Sequence, residues 1–390
     1  MVAFPVNGRR LRGGSPIRAR MVNRLMLAML YRHRWTAPQR AILITLIAVT
    51  MASLFLITYS LALGDPVPHD IRAALVGTPG ADPRALAAAE KVTGGKLDFQ
   101  RFGSVAVARS AIDNQNVYAA LHVASSSSTL YVASAAGASV ARVLQKIDAI
   151  DPTVRVLDTH PLDSHDPNGL DIFYLMLVAT VAGMVTVLQV RSQAPGLEIR
   201  HHISFVLGLA FLASTVLTLV DGPLLHRPAG PYPEEWGILA VHVLAVASFT
   251  SLMAVLLGRW AIVPSWSFFV ILGNASSGGA VAPPLLPQPF AFLSQWLPSG
   301  ATVSALRNAI YFQNYQLARP LVVLAVWGAG LFLAWVLLAH RRRQPAALRA
   351  AGTPPANANT QPAISGARNA VVTRRALVDT SARTEQREPT

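Results

Sequence analysis

The side chains whose types could do chemistry fall in two places. Asp158, His160, Asp163, His165 and Asp166 crowd nine positions just before an apolar run. Carboxylates and imidazoles are metal ligands by type. Their spacing matches no tetrahedral or octahedral site template, and we read them as a polar, Pro-containing linker instead. His242 is the second place, the one ionisable side chain deep inside a long apolar run. Two readings stand for it: handling of a proton or substrate within a membrane, or a neutral imidazole hydrogen-bonded between helices. Ser248, Thr250 and Ser251 on the same run are expected to be helix-packing contacts. There is no GxxxxGK[ST], HExxH or GxSxG run, and Gly94-Gly95-Lys96 is a turn. No enzyme activity, metal or other cofactor is expected, and any energy source must come from a partner.

The segments that carry these residues are largely apolar. Six runs stand out: Ala41–Leu63, Leu170–Val190, Ile203–Val220, Gly237–Gly258, Ala261–Gly273 and Pro320–Ala339. About 20 helical residues cross a ~30 Å hydrocarbon core. The chain is 52% hydrophobic and 13% charged, where soluble domains carry about 25% charge. We therefore expect a mainly α membrane protein with six transmembrane helices in the plasma (inner) membrane.

Charge placement sets the expected topology. Residues 1–40 hold nine Arg and no acid, and the stretch from His340 onward holds nine Arg against three acids. Basic flanks stay cytoplasmic, so both termini are expected inside. The formal charge of +14 then reflects topology and anionic lipid, not nucleic acid. Only three Lys accompany 30 Arg, with abundant Ala, a pattern of high-GC bacterial genomes. There are no cysteines, which removes disulfide and thiol chemistry. The first apolar run is too long for a cleaved signal and is expected to be an anchor.

Residues 1–20 and the stretch 340–390 are expected to be disordered. Residues 21–40 are expected to form an interfacial amphipathic helix, with Val22, Leu25, Met26, Met29 and Leu30 opposite Arg20, Arg24 and Arg34. The interval 64–168 alternates strand and helix signals in the order β-α-β-α-β-β-α-β, predicting an extracytoplasmic α/β domain with a mixed sheet that buries its own core. Asp82–Pro83 should start its first helix and Gly94–Gly95 should stop it. The loop Arg191–His202 is expected to be cytoplasmic, and Asp221–Trp236 an outside loop.

The interval 274–318 is neither a clean span nor a polar loop. It has Gly278, Gly279 and five Pro between Pro283 and Pro298, yet stays apolar through Leu285, Leu286, Phe290, Phe292, Leu293, Trp296 and Leu297. Unpaired backbone cannot face lipid. Such a segment must pack against protein or line a cavity, as in a re-entrant hairpin. A helix capped by Ser299 or Thr302 should follow, with Val303, Leu306 and Ile310 on one face. Arg307 and Arg319 would then lie outside, against the simple charge rule, held by protein or head groups.

Here the chain resembles the type-2 ABC transporter permeases, in particular the phage-infection-protein-like branch. The resemblance rests on the Gly273-Asn274 step, Ser276-Ser277-Gly278-Gly279, the Pro283 to Pro289 stretch, Trp296-Leu297-Pro298 and the Leu306-Arg307 to Tyr311-Phe312 end. A second element is the domain after the first span, with Val117–Leu121 and Leu130–Gly137. Together they cover roughly residues 40–340. The resemblance implies a half-transporter that forms a homodimer, or a heterodimer with a similar permease, and engages a separate cytoplasmic ATPase. Its coupling elements would be the interfacial helix and the loop bearing Arg191, Glu198, Arg200, His201 and His202. The hairpin bearing Gly278, Gly279, Pro283, Pro284, Pro287, Trp296, Pro298 and, beyond it, Arg307 would rim a translocation path. The alternative is a non-transporting envelope scaffold or receptor whose extracytoplasmic domain binds a partner.

Overall fold

The computed structural model describes residues 36–125, 127–225 and 231–351, with side chains to Arg342. The expected disordered N-terminus, the interfacial helix through Trp35 and the stretch beyond Ala351 lie outside the described residues.

The first helix, α1 (Ala37–Leu63), is apolar on all sides and has Ala62 as its one buried residue. A small domain follows: β1 (Ile71–Val76), α2 (Pro83–Thr93), β2 (Leu97–Phe102), α3 (Val105–Asp113), β3 (Ala119–His122), β4 (Thr129–Val132), α4 (Ala138–Gln145), α5 (Ile147–Ile150) and β5 (Arg155–Asp158). The expected β-α-β-α-β-β-α-β order holds, with the last helix broken at Lys146. The strands form one sheet in the order β2-β1-β3-β4-β5. Only the β3/β4 pair is antiparallel, so the sheet is mixed. Local chemistry explains the helix starts. The Asp82 carboxylate accepts from the Ala85 amide at 3.2 Å, and Ser104 Oγ accepts from Val107 N at 3.3 Å.

The long helices come next: α6 (Asp171–Gln193), α7 (Ile199–Leu219), α8 (Tyr232–Leu257), the one-turn α9 (Ile262–Ser265), α10 (Gln288–Ser294), α11 (Pro298–Tyr311) and α12 (Ala318–Ala351). A π-helical turn, Val220–Leu224, closes α7, and a π-helical stretch, Trp266–Asn274, follows α9. Among the described residues five helices are long and apolar enough to cross a membrane: Ala37–Leu63, Asp171–Gln193, Ile199–Leu224, Tyr232–Asn274 and Ala318–Arg342. α12 outruns its expected end at Ala339 and enters the stretch expected to be disordered. From Leu337 onward it belongs to a second compact unit, which continues as helix to Ala351.

The fourth of these stretches holds 43 residues, roughly 65 Å if straight and twice a bilayer core. It is not straight. Gly258 sits at φ +62°, ψ −124°, a region open to glycine and strained for other residues. The chain reverses there. Phe249 stacks on Phe268 at 5.0 Å between centroids and meets Phe269 edge-on at 5.5 Å. Met184, Val246, Phe269 and Val270 form one buried cluster. Trp266–Asn274, in the interval expected as a separate fifth span, thus meets α8 through these side chains and lies beside α1, α6 and α11.

The bundle core gathers Met176, Ala179, Leu239, Val243, Val303 and Leu306 from α6, α8 and α11. The sheet of the small domain is covered on both faces. One face packs α2, α4 and α5, the other α3. Each face also receives residues from far along the chain. Val281, Ala282, Leu285 and Leu286 join the first core, and Phe312 joins the second. The domain therefore does not close its core by itself, as its length had implied. Full burial of one Leu or Phe stabilises by about 2–3 kcal/mol, so these inserts are a large share of a small domain's stability.

Candidate functional site

The Pro-broken segment is sheltered by protein along most of its path. Asn274, Ser276 and Ser277 are buried. Gly278 then turns at φ +74°, and Gly279 presses against Phe173, where an added Cβ would stand 2.9 Å from Phe173 Cβ. Pro283 and Pro284 open a single 3₁₀ turn, Pro283–Leu285, which forms the apex. The Pro284 carbonyl accepts from His69 N at 2.7 Å, and the Ala282 amide donates to Ser139 Oγ at 2.9 Å. The apex is thereby stitched to the α/β domain by backbone bonds as well as apolar contact. Pro287 precedes α10, and Pro298 occupies the first position of α11 without costing a helical bond. Leu297 precedes Pro298, so neither Ser299 nor Thr302 caps this helix.

Trp296 departs from the sheltered pattern. It is 51% exposed, its carbonyl accepts from Trp327 Nε1 at 2.7 Å, and the Arg319 guanidinium lies 5.5 Å above its ring. Asn274 Nδ2 and Oδ1 and Ser299 Oγ are buried at the base of the segment without a hydrogen-bond partner among the described residues. Such groups cost about 1–3 kcal/mol each, which makes this base a polar spot inside an apolar body.

His242 stands one layer away and is completely buried. Its Nε2 lies 2.8 Å from Thr180 Oγ1 on α6, and its Nδ1 lies 2.8 Å from Thr302 Oγ1 on α11. Each hydroxyl also faces a carbonyl of its own helix, Met176 O at 2.9 Å and Pro298 O at 2.8 Å. A neutral imidazole has one donor and one acceptor nitrogen. One threonine therefore gives its proton to the ring and leaves its carbonyl, while the other accepts from the ring. The ring joins three helices, the arrangement of the second sequence reading. Thr180 escaped sequence reasoning and Thr302 was taken for a cap, since nothing local marks a partner 60 residues away.

A cavity of about 530 Å³ opens where the α/β domain, α10, α11 and the start of α12 meet. Arg72, Arg307 and Arg319 line it with a single acid, Asp70. Arg307 donates through Nη2 to the Gly278 carbonyl at 2.9 Å, and Arg319 through Nη2 to Gln295 Oε1 at 2.9 Å. Both arginines that defied the charge rule thus point to one place. Burial pushes the Tyr118 hydroxyl above its ordinary pKa, with the Arg307 and Arg72 charges acting in the other direction. Arg72, Gln115 and Tyr118 were not singled out in the sequence, because an Arg in a strand and a Tyr near another carry no motif.

Most of the expected coupling loop is helical: Arg191 lies in the last turn of α6, Glu198 precedes α7, and Arg200, His201 and His202 lie in the first turn of α7. Glu198, Arg200 and His201 are exposed, Arg191 is half-buried, and Arg200 Nε bonds Glu198 Oε2 at 2.7 Å. His202 differs from its neighbours. It is buried, its ring meets Trp335 at 5.1 Å, and its Nε2 is 3.5 Å from Ser251 Oγ. It belongs to the helix packing, because its position on α7 faces inward. In the next connection, Asp221 and Glu235 are likewise buried rather than part of a solvated loop; Asp221 sits in the π turn and Glu235 in the first turn of α8.

The Asp158–Asp166 cluster is spent on local structure. Asp158 accepts from Ser134 Oγ and from the Ser134 and His160 amides. His160 stacks on Phe312 at 4.9 Å. Asp163 accepts from the His165 amide at 2.8 Å, which holds its carboxyl below the usual range, and Asp166 caps α6 through the Leu170 and Asp171 amides. Among the described residues no group of three or more His, Cys, Asp or Glu is placed to hold a metal ion. Comparison of the chain with protein-family models, curated proteins and solved structures gives no match.

Proposed function

We propose that the chain is a permease-like membrane subunit of an ABC-type exporter, dimeric and driven by a separate cytoplasmic ATPase. In this reading the fold-back at Gly258 turns five long apolar stretches into six crossings, and both termini are cytoplasmic. Asn274–Pro298 is the re-entrant hairpin, with the α/β domain above it on the outer side. The observation that supports the reading is the course of this segment. Broken, Pro-rich backbone lies between the bundle and the domain, beside buried unpaired polar atoms at Asn274 and Ser299. A protein that only anchors a domain has no physical need for that arrangement, because an intact helix satisfies its backbone at lower cost.

The test is whether a Walker-motif ATPase co-purifies with the chain. Alanine at Arg191, Glu198, Arg200 and His201 should abolish pairing and ATPase stimulation, while the chain still inserts and folds. Retained pairing and stimulation would refute the coupling assignment. One observation favours a scaffold or receptor instead: the domain is clamped on both sheet faces, by Leu285 and by Phe312. That reading predicts no ATPase partner at all.

A further inference from the structure

We infer that the cavity between the α/β domain and α11 is a binding site for an organic phosphate group of headgroup size. The inference goes beyond the transport reading and holds whether or not the chain moves cargo.

Charge comes first. Three arginines face one aspartate in the lining, and none of the three forms an ion pair among the described residues. Arg307 is the telling one. A guanidinium has five N–H donors, and Arg307 places one group on the Gly278 carbonyl. A part-buried cation next to backbone, with donors left over and no carboxylate, is stable only if an anion or water completes it. Arginine's planar fork suits the several oxygens of a phosphate.

Strain is the second, independent observation. Five non-glycine residues among those described have positive φ. Asp70 (+44°), Gln115 (+56°) and Gln316 (+53°) line this cavity, and Gln313 and Asn314 lie in the turn leading to Gln316. Left-handed conformations cost about 1–2 kcal/mol each for such residues, and they concentrate at ligand clamps. The strained residues are tied down around the site. Gln115 Nε2 bonds Asn308 Oδ1 at 2.7 Å, and Gln316 Nε2 bonds Asn114 O at 2.7 Å. His69 Nδ1, also on the lining residues, is buried without a partner.

Size and polarity narrow the class. A volume of about 530 Å³ exceeds what a bare ion needs and falls in the range of small organic ligands. Phe292 lines the cavity and is 60% exposed, and its ring lies 6.5 Å from Trp296 beneath Arg319. An aromatic pair beside cations suits a phosphate with an apolar remainder. The source is either a lipid such as phosphatidylglycerol or a soluble phosphomonoester.

The full chain in phosphate-free dodecyl maltoside micelles, followed by tryptophan fluorescence, tests this with phosphatidylglycerol and glycerol 3-phosphate as probes. Saturable binding of at least one probe is expected. Binding of the lipid alone assigns a headgroup, and binding of both assigns any organic phosphate. Arg72→Gln, Arg307→Gln and Arg319→Gln should each weaken binding about tenfold or more. Arg101→Gln, on β2 and outside the lining, should not. Arg72→Gln guards against misfolding, since Arg72 is exposed and holds no side-chain hydrogen bond. Binding of neither probe, or binding unchanged in all three arginine variants, would overturn the proposal.

Discussion

Arg307 Nη2 donates to the Gly278 carbonyl across 2.9 Å, joining a helix to the turn that begins the Pro-rich segment. The bond holds only while Gly278 keeps φ +74°. An alanine there takes a strained conformation, and its Cβ meets Pro283 Cγ at 3.0 Å. Gly278→Ala should lose about 1–2 kcal/mol and lower the melting temperature. Gly330→Ala, where an added Cβ meets no atom within 4 Å, should be neutral or stabilising. Equal thermal unfolding curves for both variants would contradict the role given to the turn.

The His242 link makes a different kind of prediction. Thr302→Val or Thr180→Val leaves a buried ring nitrogen unpaired and should cost about 1–3 kcal/mol. Replacing all three groups, with His242→Leu alongside both valines, should cost less than the sum, because no polar atom is then stranded. Denaturation of the four variants in one detergent forms the cycle. Strict additivity would mean the ring and hydroxyls do not interact.

Much of the α/β domain is legible in the sequence, since its signals are local. Asp82–Pro83 and Gly94 mark one helix, and the strands Ile71–Val76 and Leu97–Phe102 fall between such punctuation. The Pro-rich segment is equally visible, because broken apolar backbone has few physical outcomes. Long-range relationships are not. No local pattern says that Leu285 enters the domain core, that Phe312 reaches its other face, or that His242 finds Thr180 and Thr302. The turn at Gly258 is legible as the boundary between two apolar runs, but the partners of the stretch after it are not.

Completion of the domain core is testable by truncating the inserts. Leu285→Ala and Phe312→Ala each remove a fully buried side chain and should cost about 2–5 kcal/mol. Hydrogen exchange should accelerate in β1 and β3, which neither residue adjoins in sequence. Val326→Ala, at 67% exposure on α12, should leave that exchange unchanged. Unaltered strand protection in the first two variants would mean the domain is self-sufficient.

A pH effect follows from Asp82. The Ser128 hydroxyl donates to it at 2.6 Å and the Ala85 amide at 3.2 Å, holding its carboxyl below the ordinary value. A group depressed in the folded state stabilises above its unfolded pKa, and that stability is lost as pH falls through the folded one. Ser128→Ala should therefore raise the Asp82 pKa, seen by carboxyl NMR. It should also destabilise the domain more at pH 7 than at pH 3. A loss independent of pH would place the effect in packing alone.

The segment from Asn274 to Pro298 is sheltered between helices and domain except at its exposed stretch around Phe292 and Trp296. The chain has no native cysteine, so single cysteines report cleanly. Water-soluble maleimide should label Phe292→Cys rapidly in intact cells. Leu285→Cys and Ser299→Cys should stay unlabelled until the protein is unfolded. Rapid labelling at all three positions in the folded protein would contradict the account.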